Sequence, residues 1–291
     1  MSNVINLLIA GLATGAIYAL IALGFTLLWQ TSQTINFAQG EFVMLPAFFA
    51  LAALNLNAPL WVALLLGLGA SLLVLGALFK WIIVDPMLRH GVLPLAICTM
   101  GLSIFLKESV KEGYSAEAWS FPSFLPSGDI PVLGTQISVQ SVSLFVFALA
   151  AVYLLQVFLN GTSTGRQMQA TAQNSSVARL LGIPVQRMIL YTFLINATLV
   201  ALASFLISPV YLAKFSAGET LGLAAFIAAI VGGFNQIRGA IAGGLLLGIV
   251  DNFAAAYVST QYRGAVPLFL LIAVILFRPQ GLFGRVEERT V

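Results

Sequence analysis

Two carboxylates, Glu41 and Asp251, stand inside apolar runs of this 291-residue sequence, and its one histidine, His90, and one cysteine, Cys98, fall in other segments. Isolated carboxylates of that kind can bind, gate or fix a helix contact. Without a base beside a nucleophile, or several donors around one point, they do not make a catalytic or metal centre. Gly161-Thr-Ser163-Thr-Gly165 fits the G-x-S-x-G pattern, but no strand precedes it and His90 belongs to another loop, so it does not read as a hydrolase elbow. The other polar concentrations are Asn36-Phe37-Ala38-Gln39-Gly40-Glu41, beside a helix break that Gly40 allows, and a long polar stretch from Gly165 to Pro184.

The segments that must hold these residues are built for lipid. Apolar residues make up 60% of the chain and charged ones 8%, at a mean hydropathy of +1.00, whereas a soluble domain carries roughly a quarter charged residues. Apolar windows of spanning length fall near 4–29, 58–84, 139–160, 188–212 and 240–259, with shorter ones near 41–56, 92–106, 221–234 and 265–278. The expectation is an all-α polytopic membrane bundle of about 8–10 spans, some short or broken, forming a single transmembrane domain over 1–291. The first window lacks the charged n-region of a secretory signal and reads as a retained helix. Small residues four apart, such as Gly11 with Gly15, Gly218 with Gly222 and Gly244 with Gly248, predict close helix contacts.

With Lys80 and Arg89 assigned to one loop, nine crossings put them and Arg166, Arg179, Arg187, Arg238, Arg278, Arg285 and Arg289 on one face. The positive-inside bias makes that face cytoplasmic, with the N-terminus outside and the C-terminal tail, about 279–291, inside. Lys107, Lys111, Lys214 and Arg263 then lie outside, as does a loop over about 107–140 carrying Tyr114, Trp119, Phe121 and Phe124. That loop is a lid, a docking surface or a connector with its aromatics at the headgroups. Nothing in the charge pattern calls for nucleic acid.

The stretch over about 161–187 has a readable grammar. Arg166 to Thr171 can continue the preceding span, Asn174, Ser175 and Ser176 supply N-cap side chains, and Gly182 before Pro184 gives a stop. A short helix over about 176–181 follows, with Val177, Leu180 and Leu181 on one apolar face and Arg179 elsewhere. Such a face suits either a groove on another protein or the membrane interface.

These residues carry a resemblance. Thr164-Gly165-Arg166, Ala170, Ala178 and Gly182-Ile183-Pro184, with the 15–24 and 35–41 blocks, the glycines at 232–248 and Arg278-Pro-Gln-Gly-Leu-Phe-Gly284, resemble permeases of branched-chain amino-acid ABC importers, the LivH-like family, over nearly the whole chain. The resemblance implies a permease subunit that works with a second similar permease, two cytoplasmic ATPases and a periplasmic or extracellular solute-binding protein. A heterodimer is favoured over a homodimer. It implies that Arg166, Ser176, Val177, Arg179, Leu180, Leu181 and Gly182 couple the chain to an ATPase. It also implies that Asn36, Phe37, Gln39, Glu41 and Asp251 line the translocation pathway. An intramembrane carboxylate costs about 2.5–3.5 kcal/mol, so Glu41 should face protein or water. The family commonly has His where Gln39 stands, and an amide cannot switch charge near pH 6.

No G-x-x-x-x-G-K-[ST] occurs, so ATP and Mg belong to the partner ATPases and this chain is not expected to be an enzyme or to carry its own cofactor. The solute is an amino acid, branched-chain above all, or a urea-like short amide. An ion-coupled secondary transporter would instead need titratable groups in the spans, and beyond Glu41 and Asp251 these are scarce. The expected location is the bacterial inner membrane.

Overall fold

A computed structural model describes residues 2–126, 128–132, 135–258 and 264–284. Arg263, Arg285 and Arg289, used above for sidedness, lie outside the described residues.

The chain is almost wholly helical: α1 (Ser2–Ser32), α2 (Gln39–Asn55), α3 (Leu60–Ser71), a π-helical stretch (Leu72–Val84), α4 (Asp85–Leu88), α5 (Val92–Gly113), α6 (Val139–Gly161), α7 (Ser163–Gln173), α8 (Ser175–Leu180), α9 (Val185–Tyr211), α10 (Ala217–Gly232), α11 (Ile237–Tyr257) and α12 (Ala265–Phe277). Strands β1 (Asp129–Val132) and β2 (Thr135–Ser138) pair antiparallel, Asp129 opposite Ser138. Among the described residues six helices are long and apolar enough to cross a membrane, and α2, α10 and α12 are shorter apolar helices. Every apolar window of the sequence thus forms a helix.

Three local expectations change. The window at 92–106 grows into the 22-residue α5, because Lys107, Glu108, Lys111 and Glu112 end the apolar run without ending the helix. Lys111 pairs with Glu108 at 2.9 Å one turn away, as helical spacing allows. The connection expected over 107–140 therefore begins at Tyr114 and ends at Ser138. Lys80, expected in an inner loop, lies within the π-helical stretch. Its side chain is 4% exposed and its ammonium donates to Asp85 at 2.7 Å and Gln186 at 3.4 Å, which is how a buried cation is retained.

Two compact units interleave along the chain. The first holds Met1–Thr26, Leu125–Val146 and Leu223–Val291. Here α1 and α11 meet through glycine: a β-carbon on Gly11 would lie 2.9 Å from the Ile249 Cα, and one on Gly15 would lie 2.8 Å from the Leu245 Cα. The start of the expected tail is folded onto the end of α10, with Leu282 N–H donating to Val231 O at 2.9 Å and Phe283 N–H to Gly232 O at 3.0 Å.

The second unit holds Leu27–Phe124 and Phe147–Gly222. Its centre is α2, packed on α3, α5 and α9. Pro46 lies inside α2 and brings no N–H of its own, and the next N–H, that of Ala47, donates to the Ser204 hydroxyl of α9 at 3.1 Å, which ties the two helices together at that point. Part of the outer connection is packed down. Phe121 is buried and stacks on Phe205 at 6.3 Å, Tyr114 sits between Phe48 and Trp119, and Trp119 pairs backbone to backbone with Ala213. These aromatics serve as packing within the unit.

Candidate functional site

The polar stretch after α6 is an elbow and two helices. Gly161 ends α6, and Thr162 turns extended to cap α7, its hydroxyl accepting the Gly165 N–H at 2.9 Å while donating to Phe158 O at 2.7 Å. Gln169 folds back to donate to Leu159 O at 2.8 Å, so carbonyls left over at the end of α6 find partners. Gly165 is required by proximity, since a β-carbon there would lie 2.6 Å from the Leu159 Cα. Arg166 to Thr171 therefore belong to a separate, capped helix, and do not continue the preceding span as the sequence suggests.

The short helix forms almost where expected. Asn174 caps α8, its side-chain oxygen accepting from the Ser176 and Val177 N–H groups at 3.0 Å each. At the far end the Ile183 N–H reaches Ala178 O at 3.0 Å and the Gly182 N–H reaches Arg179 O at 3.1 Å, with Gly182 at φ +79°. That paired closure needs a left-handed residue, which glycine supplies at least cost. Ala178 faces inward at 2% exposure, whereas Val177, Leu180 and Leu181 are 49%, 87% and 74% exposed. Ser176, Arg166 and Arg179 are exposed as well, and no described acidic group lies within ion-pair distance of either arginine. A rigidly capped single turn thus presents uncovered leucines among free cations, a shape that a groove on another protein can grip.

The second candidate lies where α1 gives way to α2. Asn36 folds into a turn, its side-chain oxygen accepting the Ala38 N–H at 3.0 Å and its amide reaching Gln39 Oε1 at 3.4 Å. Gln39 and Asn196 of α9 exchange amide hydrogen bonds, Gln39 donating at 2.6 Å and Asn196 at 3.1 Å, both fully buried. Glu41 is 2% exposed; its Oε1 accepts from Ser103 of α5 at 3.3 Å. Phe37 offers its N–H to the Thr99 hydroxyl at 3.2 Å while its ring is partly exposed.

Gly40 makes this possible. A β-carbon there would strike the Gly218 carbonyl and lie 3.1 Å from the Gly222 Cα, so the first turns of α2 and α10 touch through backbone. Beside them Lys107 donates to Glu219 at 2.8 Å.

Asn36, Gln39 and Glu41 are thus gathered in one unit with Asn196, Thr99 and Ser103, of which sequence reasoning did not single out Thr99 and Ser103. The available signal was the recurrence of Thr99, Ser103 and Lys107 every fourth residue in an apolar helix. Asp251 belongs to the other unit, where it is 3% exposed and accepts from the Tyr18 hydroxyl at 3.2 Å. Asn252, its neighbour, donates to Gly248 O of its own helix.

Residues 7–275 match the family described as branched-chain amino acid transport system / permease component. The chain is 35% identical to the high-affinity branched-chain amino acid transport system permease protein BraD of Pseudomonas aeruginosa, over 98% of this chain and 97% of that protein. It is 32% identical to the LivH permease protein of the corresponding Escherichia coli system, over 97% and 96%. A probable LivH of Methanocaldococcus jannaschii is 27% identical over 91% and 88%. No solved structure matches.

Proposed function

The chain belongs to the branched-chain amino-acid permease family of ABC importers, and from that premise we propose that it is the membrane-spanning subunit through which such an importer passes a branched-chain amino acid inward. It is a multi-pass membrane protein of the transport class, a transporter component and not an enzyme. In this reading ATP and Mg are bound by two partner ATPases, a solute-binding protein delivers the amino acid outside, and a second, similar permease completes a heterodimer. The chain would run from an outer N-terminus to a cytoplasmic C-terminus, which puts α7 and α8 on the cytoplasmic side with the ATPases.

The observation that carries the reading is α8: a helix capped at both ends by Asn174 and Gly182, with Leu180 and Leu181 bare to solvent. When nucleotide draws the ATPases together, a side-chain knob seated in one of them moves as a lever, and the elbow at Thr162 to Gly165 passes that motion to α6. Arg166 and Arg179 then steer and orient the docking, and the cluster from Asn36 to Glu41 borders the pathway.

Reconstitution tests the proposal. Vesicles holding this chain, a partner permease and the ATPases, given the loaded binding protein outside and ATP with the ATPases, should accumulate leucine. Equal uptake driven by an ion gradient through this chain alone would overturn it.

A further inference from the structure

Thr99, Ser103 and Lys107 follow one another at four-residue intervals along α5, so one side of an apolar helix carries two hydroxyls and an ammonium over about 12 Å of axis. Each has a partner on a facing segment of the same unit: the Phe37 N–H, the Glu41 carboxylate and the Glu219 carboxylate in turn. Exposure grades along the row, from 1% at Thr99 to 28% and 69% for the Lys107 and Glu219 side chains. The row leads from the more exposed Lys107–Glu219 pair toward the buried Glu41 carboxyl group.

That carboxyl group is half satisfied. Glu41 Oε1 accepts the Ser103 hydroxyl at 3.3 Å, but the buried Oε2 has no hydrogen-bond partner. Oε2 lies against Gly218, where any β-carbon would land on it, so glycine at 218 is what lets the carboxyl group sit beside the α2–α10 contact. A carboxylate oxygen withdrawn from water without a donor is unfavourable, and the deficit is largest for the charged form.

We propose that Glu41 Oε2 is the transient receptor for the ammonium group of a zwitterionic solute, which reaches it by way of the Lys107–Glu219 ion pair. This rests on the permease reading above and assigns the residue that meets the ammonium end of its amino-acid solute. A primary ammonium brings three donors and a full charge, the complement of a bare carboxylate oxygen. The Lys107–Glu219 pair is exposed enough to be weak, so its two ends can exchange partners with the carboxylate and ammonium of an arriving amino acid. From there the ammonium moves on to Glu41 while the Ser103 hydroxyl keeps Oε1 oriented. Urea, lacking a cation, gains nothing from the charge on Glu41.

The assay uses the assembled transporter in vesicles with saturating leucine-loaded binding protein. Glu41→Gln is expected to co-purify with the ATPases yet to import leucine roughly tenfold or more slowly, the loss of one charge-assisted contact, while Glu41→Asp keeps most of the rate. Leucine import by Glu41→Gln at the wild-type rate overturns the proposal, as does an equal loss in Glu41→Asp, which would make shape and not charge the requirement. Were Glu41→Gln to fail in assembly, Glu219→Gln at the exposed end takes its place, with slower leucine import expected and an unchanged rate counting against. Wild-type vesicles that import urea but not leucine also overturn it, whereas wild-type vesicles with no ATP-dependent import refute the permease reading instead.

Discussion

Replacing both Leu180 and Leu181 with Asp should separate folding from coupling. The two side chains are 87% and 74% exposed, so neither contributes a core contact, and surface changes of this kind usually stay within about 0.5 kcal/mol. Each acid near the end of the helix adds about 0.3–1 kcal/mol of unfavourable interaction with the helix dipole, confined to α8. Docking is affected far more. Burying a leucine is worth about 1.5–3 kcal/mol, and with most of each side chain still to be covered, the pair stands to lose about 3–5 kcal/mol on binding an ATPase. At about 1.4 kcal/mol per decade, that is roughly a hundred- to several-thousandfold weaker association. The assay is titration of the detergent-solubilised permease with labelled ATPase, alongside thermal unfolding of the permease alone. The expected result is an unchanged melting midpoint with ATPase binding lost across the accessible range and ATP-driven uptake abolished. Affinity within about threefold of wild type, with full uptake, would refute the argument, because that range corresponds to under 1 kcal/mol and leaves no buried leucines to account for.

Gly182→Val forces a β-branched residue to φ +79°, at a cost of about 1–2 kcal/mol or more, so the end of α8 should rearrange and uptake per assembled complex should fall; a normal transport rate contradicts it. For the buried amide pair, Gln39→Leu or Asn196→Leu alone should each destabilise by about 1–3 kcal/mol, since the surviving amide is left without its partner. The double variant should cost clearly less than the sum, and strict additivity in thermal unfolding would show that the two amides do not depend on each other.

Much of the architecture could be read from hydropathy alone, since each apolar window becomes a helix. The ends were less legible. Lys107 to Glu112 look like the start of a loop because they are charged, yet their spacing suits a helix and α5 runs through them. The π-helical stretch after Ser71 leaves no mark in composition, because Leu72 to Val84 is uniformly apolar and hydrogen-bond register is not encoded by hydrophobicity. Around α8 the sequence spoke plainly: Asn174, Gly182 and Pro184 are residues whose local chemistry needs no tertiary partner. The elbow before it did not, since Thr162 is one of several hydroxyls in Thr-Ser-Thr and only the backbone contact of Gly165 decides which one caps. The inner cluster was half visible. Glu41 and Gln39 announce themselves as polar residues in an apolar setting, but Asn196 and Ser103 become their partners only when α9 and α5 pack on α2. The small-residue pair Gly218 and Gly222 was readable as a close contact, although its mate, Gly40, was not.

The side of the membrane on which α8 stands tests the account most directly. In a Cys98→Ser background, Leu180→Cys introduces one thiol at a position 87% exposed in the native chain. A membrane-impermeant maleimide should label it in inside-out vesicles stripped of ATPase, leave it untouched in intact cells, and be blocked when the ATPases are restored. Labelling in intact cells, or labelling in vesicles that the ATPases do nothing to prevent, would contradict the assignment of α8 as the coupling element.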